Sequence, residues 1–233
     1  MSNTGYETRR GELATYFDKT AVDKWKAITS NSPVSRIRET VRAGRDEMRT
    51  TLLDWLPHDL TGMRILDAGC GPGQLAVEMA RRGAEIVAVD LSPNLIQVAI
   101  ERTPSCLDGG KIDYLAGDMT SKELGAFDYV VAMDSLIHYP METVVKILAD
   151  YSPRVRRGIL FSFAPRTPLL AAMHNVGKLF PRNDRSPAIV PIAEAKLKQA
   201  IGADGQLTKF DVRRTLKVDS GFYKSQALEL QVR

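Results

Sequence analysis

Two hydrophobic periods alternate along this chain, one that suits a strand and one that suits a helix. Val34, Ile37, Val41, Met48, Leu52 and Trp55 recur at helical spacing, with Pro33 before them and Pro57 after, which predicts a helix over 34–55. Short apolar runs predict strands at 64–68, 85–90, 111–116, 127–133 and 158–163. Helices are predicted between them at 73–82, 93–102 and about 141–150; Ser92 caps the second and Pro93 sits in its first turn. A helix over 191–201 and two strands, 207–216 and 221–231, close the pattern through a turn at Asp219-Ser220-Gly221. Strands that alternate with helices form a parallel sheet, and the closing pair implies an antiparallel hairpin at one edge. Residues 1–30 are polar with scattered aromatics, Tyr6, Tyr16, Phe17 and Trp25, and read as an arm that orders against the domain. The expected division is an arm and helix over 1–56 and one α/β domain over 57–233, a size that fits a single core.

The first predicted strand runs into Asp67-Ala68-Gly69-Cys70-Gly71-Pro72-Gly73, and the second ends in Asp90. This is a nucleotide-binding βαβ half. A dinucleotide fingerprint, G-x-G-x-x-G, would place its third glycine at position 74, which is Gln74. Asp67 stands just before the glycines, where its carboxylate would repel a pyrophosphate but favour the ammonium and sulfonium of S-adenosylmethionine. Asp90, 23 residues after Asp67, stands where a carboxylate accepts ribose hydroxyls. The alternative is an ordinary tight turn between strand and helix.

Charge adds an asymmetry. Residues 61–150 carry 7 basic and 13 acidic side chains, whereas 151–233 carry a net +9 of the chain's total +4. The acidic middle suits a cationic cofactor. The basic last third suits an anionic substrate, an anionic membrane surface or nucleic acid, or is simply a solvated exterior. No run approaches the ~18 apolar residues of a membrane span. Cys70 and Cys106 have no metal or redox spacing, and Cys70 reads as a small turn residue. A reducing cytoplasm is the expected compartment, with peripheral membrane contact as an addition.

Seven strands with a late hairpin resemble the class I S-adenosylmethionine-dependent methyltransferase fold, a Rossmann-like sheet of order 3-2-1-4-5-7-6 with strand 7 antiparallel, helices on both faces and a helical N-terminal arm. That resemblance implies that Asp67, Gly69, Gly71 and Gly73 line the methionine side of the donor, while Asp90 holds the ribose between Leu91 and Ser92. Asp118 and Met119 would meet the adenine, and Met133 and Asp134 would lie under the methionine portion. The secondary reading of Asp118 is a helix cap, and the two methionines read equally as core.

More specific stretches are Tyr16-Phe17-Asp18, Trp25, Ser35-Arg36-Ile37-Arg38, Val41-Arg42-Ala43-Gly44-Arg45, Ser135-Leu136-Ile137-His138-Tyr139-Pro140 and Ser220-Gly221-Phe222-Tyr223-Lys224-Ser225. With these the chain, from about residue 11 on, resembles the magnesium-protoporphyrin IX O-methyltransferases of chlorophyll and bacteriochlorophyll biosynthesis. Pro72 departs from the Thr common in such turns. The resemblance implies esterification of a propionate carboxylate of Mg-protoporphyrin IX. It carries catalytic roles onto Tyr16 and His138, and acceptor contacts onto Tyr16, His138, Tyr139, Arg38 and Arg166. It implies the large porphyrin-binding subunit of magnesium chelatase as partner. The magnesium belongs to the substrate, and no protein-bound metal is expected.

The bland readings stand beside these. His138 doubles as a helix-start residue and Tyr16 as an aromatic staple. Arg38, Arg42, Arg45 and Arg49 make a stripe that suits a second propionate, a partner or plain solvent. Segment 166–187 reads as a substrate lid or a membrane-resting element, and its His174 as a porphyrin-magnesium contact or a surface residue. A methyltransferase acting on a quinone precursor is the nearest rival function. A non-catalytic binding protein is disfavoured by the intact Asp67, Gly69, Gly71 and Asp90. An RNA methyltransferase is disfavoured because Asp134-Ser135-Leu136-Ile137 stands where a base-methylating loop would be; no nucleic-acid partner is expected.

Overall fold

The computed structural model describes residues 4–19, 36–166 and 188–233. In chain order the elements are α1 (Thr4–Lys19), α2 (Arg36–Trp55), β1 (Arg64–Ala68), α3 (Gln74–Arg81), β2 (Glu85–Asp90), α4 (Pro93–Arg102), β3 (Lys111–Ala116), β4 (Phe127–Ala132), α5 (Met141–Tyr151), β5 (Val155–Phe163), α6 (Glu194–Ala203), β6 (Phe210–Ser220) and β7 (Tyr223–Val232). The strands form one sheet in the order β3-β2-β1-β4-β5-β7-β6. β1 to β5 are parallel, and β7 runs antiparallel to both its neighbours. This is the expected topology, with the sheet order reversing between β1 and β4.

The period of two sorts the strands' side chains onto two cores. Leu66, Ala68, Val87, Val89, Val130 and Ala132 pack with α5, α6 and α1 on one face. Ile65, Ile86, Ala88, Val131 and Leu160 pack with α2 and α3 on the other. α2 is anchored there by Met48 and Leu52, both fully buried. It also leans on the closing hairpin, where a side chain at Gly44 would occupy the ring of Tyr223.

Some boundaries differ from the sequence reading. β5 starts at Val155, before the predicted 158, and α6 starts three residues late. β6 continues to Ser220, so the hairpin turn shrinks to Gly221 and Phe222. Gly221 has φ +56° and sits against Thr40 of α2, a packing that favours this tight turn. The N-terminal arm is helical, as expected, over residues 4–19. Its apolar signal is thin because only Tyr6, Leu13 and Phe17 face the core. Trp25, Ser35, most of the lid (167–187) and His174 lie outside the described residues.

Candidate active site

The carboxyl ends of β1, β2 and β4 open into one cavity, at the point where the sheet order reverses and open α/β sheets bind their ligands. The glycine-rich turn forms its floor. Gly69 has φ +82°, and a side chain there would strike Ser135 in the loop after β4, so glycine lets the two loops meet. Asp90 ties the turn to the end of β2: its two oxygens accept from Gly71 N–H and Ser92 N–H, each at 2.9 Å. Each carboxylate oxygen accepts more than one hydrogen bond, so Asp90 retains capacity toward the cavity.

Asp67 is the unusual group. It is 1% exposed, it lines the cavity, and its Oδ2 has no hydrogen-bond partner. Burial, then the charge of Asp90, pushes its pKa up to about 7. Ser135 Oγ, also lining the cavity, is likewise buried without a partner. A buried, unpartnered carboxylate oxygen is costly and calls for a cation or a donor. The ammonium of S-adenosylmethionine fits that need.

The candidate residues divide by position. Asp67, Gly69, Gly71, Asp90, Leu91, Met119, Met133, Asp134, His138 and Tyr139 all line the cavity. Gly73, Ser92, Asp118, Tyr16, Arg38 and Arg166 do not, each for a visible reason. Gly73 (φ +78°) fills a packing role: a Cβ there would sit 2.6 Å from Tyr114 Oη and 3.0 Å from Ala99 Cβ. Ser92 is fully buried as the cap of α4, accepting from Leu95 N–H at 3.2 Å. Asp118 accepts from Tyr6 Oη at 2.6 Å, from Thr120 N–H at 2.8 Å, and pairs with Arg10, so it holds the arm and caps its own turn. Although burial opposes ionisation there, these hydrogen bonds hold its carboxyl below the usual range. Tyr16 is turned aside, its ring edge-on to Phe17 at 5.3 Å, and Phe17 takes the cavity position. Arg38 is exposed because it lies seven residues, about 10 Å along α2, before the cavity. Arg166 is exposed at the start of the segment after β5.

His138 sits in a short turn after β4, 5.8 Å from the Phe17 ring. Its Nδ1 lies 3.4 Å from the carbonyl oxygen of Ala188, which can only accept, so Nδ1 carries the proton and Nε2 is the acceptor. Burial lowers its pKa to about 4, so the ring is neutral at physiological pH. Arg9 of α1 donates to the carbonyl oxygens of His138 and Ala188, both at 3.0 Å, and so docks the arm on this loop.

Sequence alone assigns neither Tyr6 nor Leu13 to the site and gives Arg45 and Arg49 only as members of the stripe; all four line the cavity. Tyr6, Leu13 and Phe17 carry a signal, spacings of seven and four that place them on one helix face. Asp134, in the left-handed region at φ 54°, pairs with Arg45 at 2.9 Å. Among the described residues no group of three or more His, Cys, Asp or Glu is arranged to hold a metal ion. Cys70 is buried, and burial pushes its thiol well above the ordinary range, consistent with a turn residue.

A seven-stranded sheet of this order, with a glycine turn after β1 and an acid at the end of β2, defines a class I S-adenosylmethionine-dependent methyltransferase. Residues 65–158 match the family model described as methyltransferase domain, and 132–232 match magnesium-protoporphyrin IX methyltransferase C-terminus. The chain is 47% identical to the magnesium-protoporphyrin O-methyltransferase of Rhodobacter capsulatus, over 96% of this chain and 97% of that protein. It belongs to the magnesium-protoporphyrin O-methyltransferase family. The crystal structure of magnesium protoporphyrin IX methyltransferase from Synechocystis with bound S-adenosylhomocysteine superposes with a TM-score of 0.83, at 27% identity, covering 97% of this chain and 100% of that one. The ubiquinone biosynthesis O-methyltransferase of Xanthomonas euvesicatoria is 41% identical, but over only 51% of this chain and 50% of that protein.

Proposed function

We propose that the protein transfers a methyl group from S-adenosylmethionine to a propionate carboxylate of Mg-protoporphyrin IX, giving the monomethyl ester in chlorophyll or bacteriochlorophyll biosynthesis. The observation that carries this is the 47% identity over nearly the full length of both chains. The likeness to a quinone-pathway enzyme stops at about half of each chain. The donor supplies an electrophilic methyl group on a sulfonium.

The protein's residues do the rest. Asp67, Ser135 and Asp90 take the cationic and hydroxyl groups of the donor, and Leu91, Met119 and Met133 supply apolar walls. Tyr6, Leu13 and Phe17 of α1 close the cavity from above and exclude water. Water exclusion is the main catalytic demand, because a solvated carboxylate is a weak nucleophile and its charge is lost in the transition state. A propionate has an ordinary carboxyl pKa of about 4 and needs no strong base at neutral pH. His138 therefore serves to orient it. The Nδ1–H bond to the Ala188 carbonyl is long, at 3.4 Å, so the neutral ring presents its one N–H to the ionised carboxylate in its place. Tyr139 flanks this position. Tyr16 acts by holding Phe17.

The chelatase subunit that holds the metallated porphyrin is the natural supplier of so insoluble an acceptor. The basic last third and the lid suit a protein that works from the cytoplasm against an anionic membrane surface. Among the described residues no helix is long and apolar enough to cross a membrane.

The test is a fluorescence titration with Mg-protoporphyrin IX, then mass analysis after adding donor. Porphyrin binding and the gain of one methyl group are expected. His138→Gln should keep donor affinity and lose turnover. Donor binding without porphyrin binding or methylation would overturn the proposed acceptor.

A further inference from the structure

Two sequence features remain outside the mechanism, the arginine stripe of α2 and the Tyr223-Lys224-Ser225 motif. They converge on Asp134. Arg45 Nη1 lies 2.9 Å from Asp134 Oδ2. Tyr223 Oη donates to the same carboxylate at 2.9 Å, Ser162 Oγ at 3.1 Å and Ser225 Oγ at 3.4 Å. The backbone N–H of Asp134 donates to Ser162 Oγ at 2.7 Å, which holds the left-handed turn. Ser162, Ser225 and Tyr223 are all buried.

Three hydroxyls thus meet Asp134 at Oδ1, and Arg45 holds Oδ2 through one Nη. The guanidinium is not the carboxylate's only support, so its charge can serve the cavity. Arg45 is 17% exposed and Arg49, one turn further along α2, is 21% exposed; both line the cavity. A guanidinium has five N–H donors in a fork, enough to bridge Asp134 and a second carboxylate.

Building on the proposed acceptor, the geometry points to Arg45, with Arg49 beside it, as the site that anchors the carboxylate of the acceptor that does not react. Transition-state charge decides between the two carboxylates. The reacting group loses its negative charge as the new C–O bond forms, so a guanidinium on it would stabilise the ground state and slow the step. The spectator carboxylate keeps its charge throughout, so a cation there strengthens binding without that penalty. Asp134 keeps the guanidinium aimed, and the hydroxyl cage keeps Asp134 in place.

The test compares Mg-protoporphyrin IX with its dimethyl ester as fluorescence-titration ligands, in the wild type and in Arg45→Met. A charge-assisted hydrogen bond predicts that the wild type prefers the diacid by about tenfold or more, and that Arg45→Met lowers this ratio by about tenfold. KM for the diacid should rise about tenfold with kcat nearly unchanged, since a spectator contact is made equally in ground and transition states. Arg45→Lys should recover part of the preference. Circular dichroism and Tm of each variant report an intact fold. A wild-type ratio retained in Arg45→Met overturns the assignment, as does a fall in kcat at unchanged KM, and a rise in kcat together with KM places Arg45 on the reacting carboxylate instead. A wild type that neither binds nor methylates the porphyrin would refute the proposed function itself, which separates the two failures.

Discussion

Donor binding should expel a proton from Asp67. In the free protein this carboxyl is buried beside Asp90 and its pKa stands at about 7. A bound ammonium or sulfonium holds it ionised. At pH 7 about half a proton should therefore leave per donor bound, and about 0.9 at pH 6. Affinity should then improve about fivefold between pH 6 and pH 7. His138 lies near 4 and is silent in this window. Isothermal titration calorimetry in buffers of different ionisation enthalpy reads the proton count directly, and Asp67→Asn should give a smaller count and a flatter affinity profile. Stability provides a second reading. The folded pKa of Asp67 is raised, so the folded state binds more protons between about pH 4 and pH 7, and stability contributed by this group is lost as pH rises through that range. A rise of some three pH units corresponds to a cost of order 4 kcal/mol above pH 7, which Asp67→Asn removes. The variant should melt higher than the wild type at pH 8 while binding donor more weakly. Equal proton release in wild type and variant would refute the view of Asp67 as the cation-seeking group of the site.

Gly73→Ala should destabilise the fold by about 3 kcal/mol, adding left-handed backbone strain to a clash with Tyr114, while leaving donor affinity per folded molecule unchanged. In a chain of this size that is a fall of about 6–12 °C in Tm by calorimetry, and Tyr114→Phe should restore part of it. An unchanged Tm would show that the turn relaxes, and a selective loss of donor affinity would return Gly73 to the site. Tyr6→Phe removes one donor to the Asp118 carboxylate, a charge-assisted bond of about 1.5–3 kcal/mol. Amide exchange in α1 should speed up at least tenfold, with exchange in β1 and β4 unaffected; equal protection of α1 in both proteins would mean that Arg10 and Arg9 suffice to dock the arm.

What the sequence discloses tracks how local the cause is. The glycine turn, Asp67 and Asp90 were legible because backbone geometry and charge act within a few residues of one another. The strand order was legible because alternating periods and the closing hairpin leave few topologies. The part of Asp118 in docking the arm was not legible because its partners, Tyr6 and Arg10, are more than a hundred residues away in the chain. Residue type does not separate Tyr16 from Phe17, and rotation does: adjacent helix positions differ by about 100°, so Phe17 lines the cavity and Tyr16 packs against it. Arg38 was chosen over Arg45 for a different reason. Both lie on one face of α2, and only the distance along the axis separates them, which no periodicity reveals.

The placement of charge around the cavity explains why these long-range contacts matter more than the motif. Asp67 and Asp90 stand on β1 and β2 and face the turn that receives the donor. Arg45 and Arg49 stand on α2, whose position is fixed by Met48 and Leu52 in the core and by Gly44 and Thr40 against the closing hairpin. Asp134 lies between the two groups, joined to Arg45 by an ion pair and to β7 by Tyr223 and Ser225. A cationic donor and an anionic acceptor are thus drawn to different walls of one cavity, and α1 closes over both through Asp118 on one side and the His138 loop on the other. The reacting charges meet only when the arm is docked and water is gone. Moving α2 by one turn would keep every motif in the sequence and remove the guanidinium from the acceptor's side, so specificity rests on the packing of that helix.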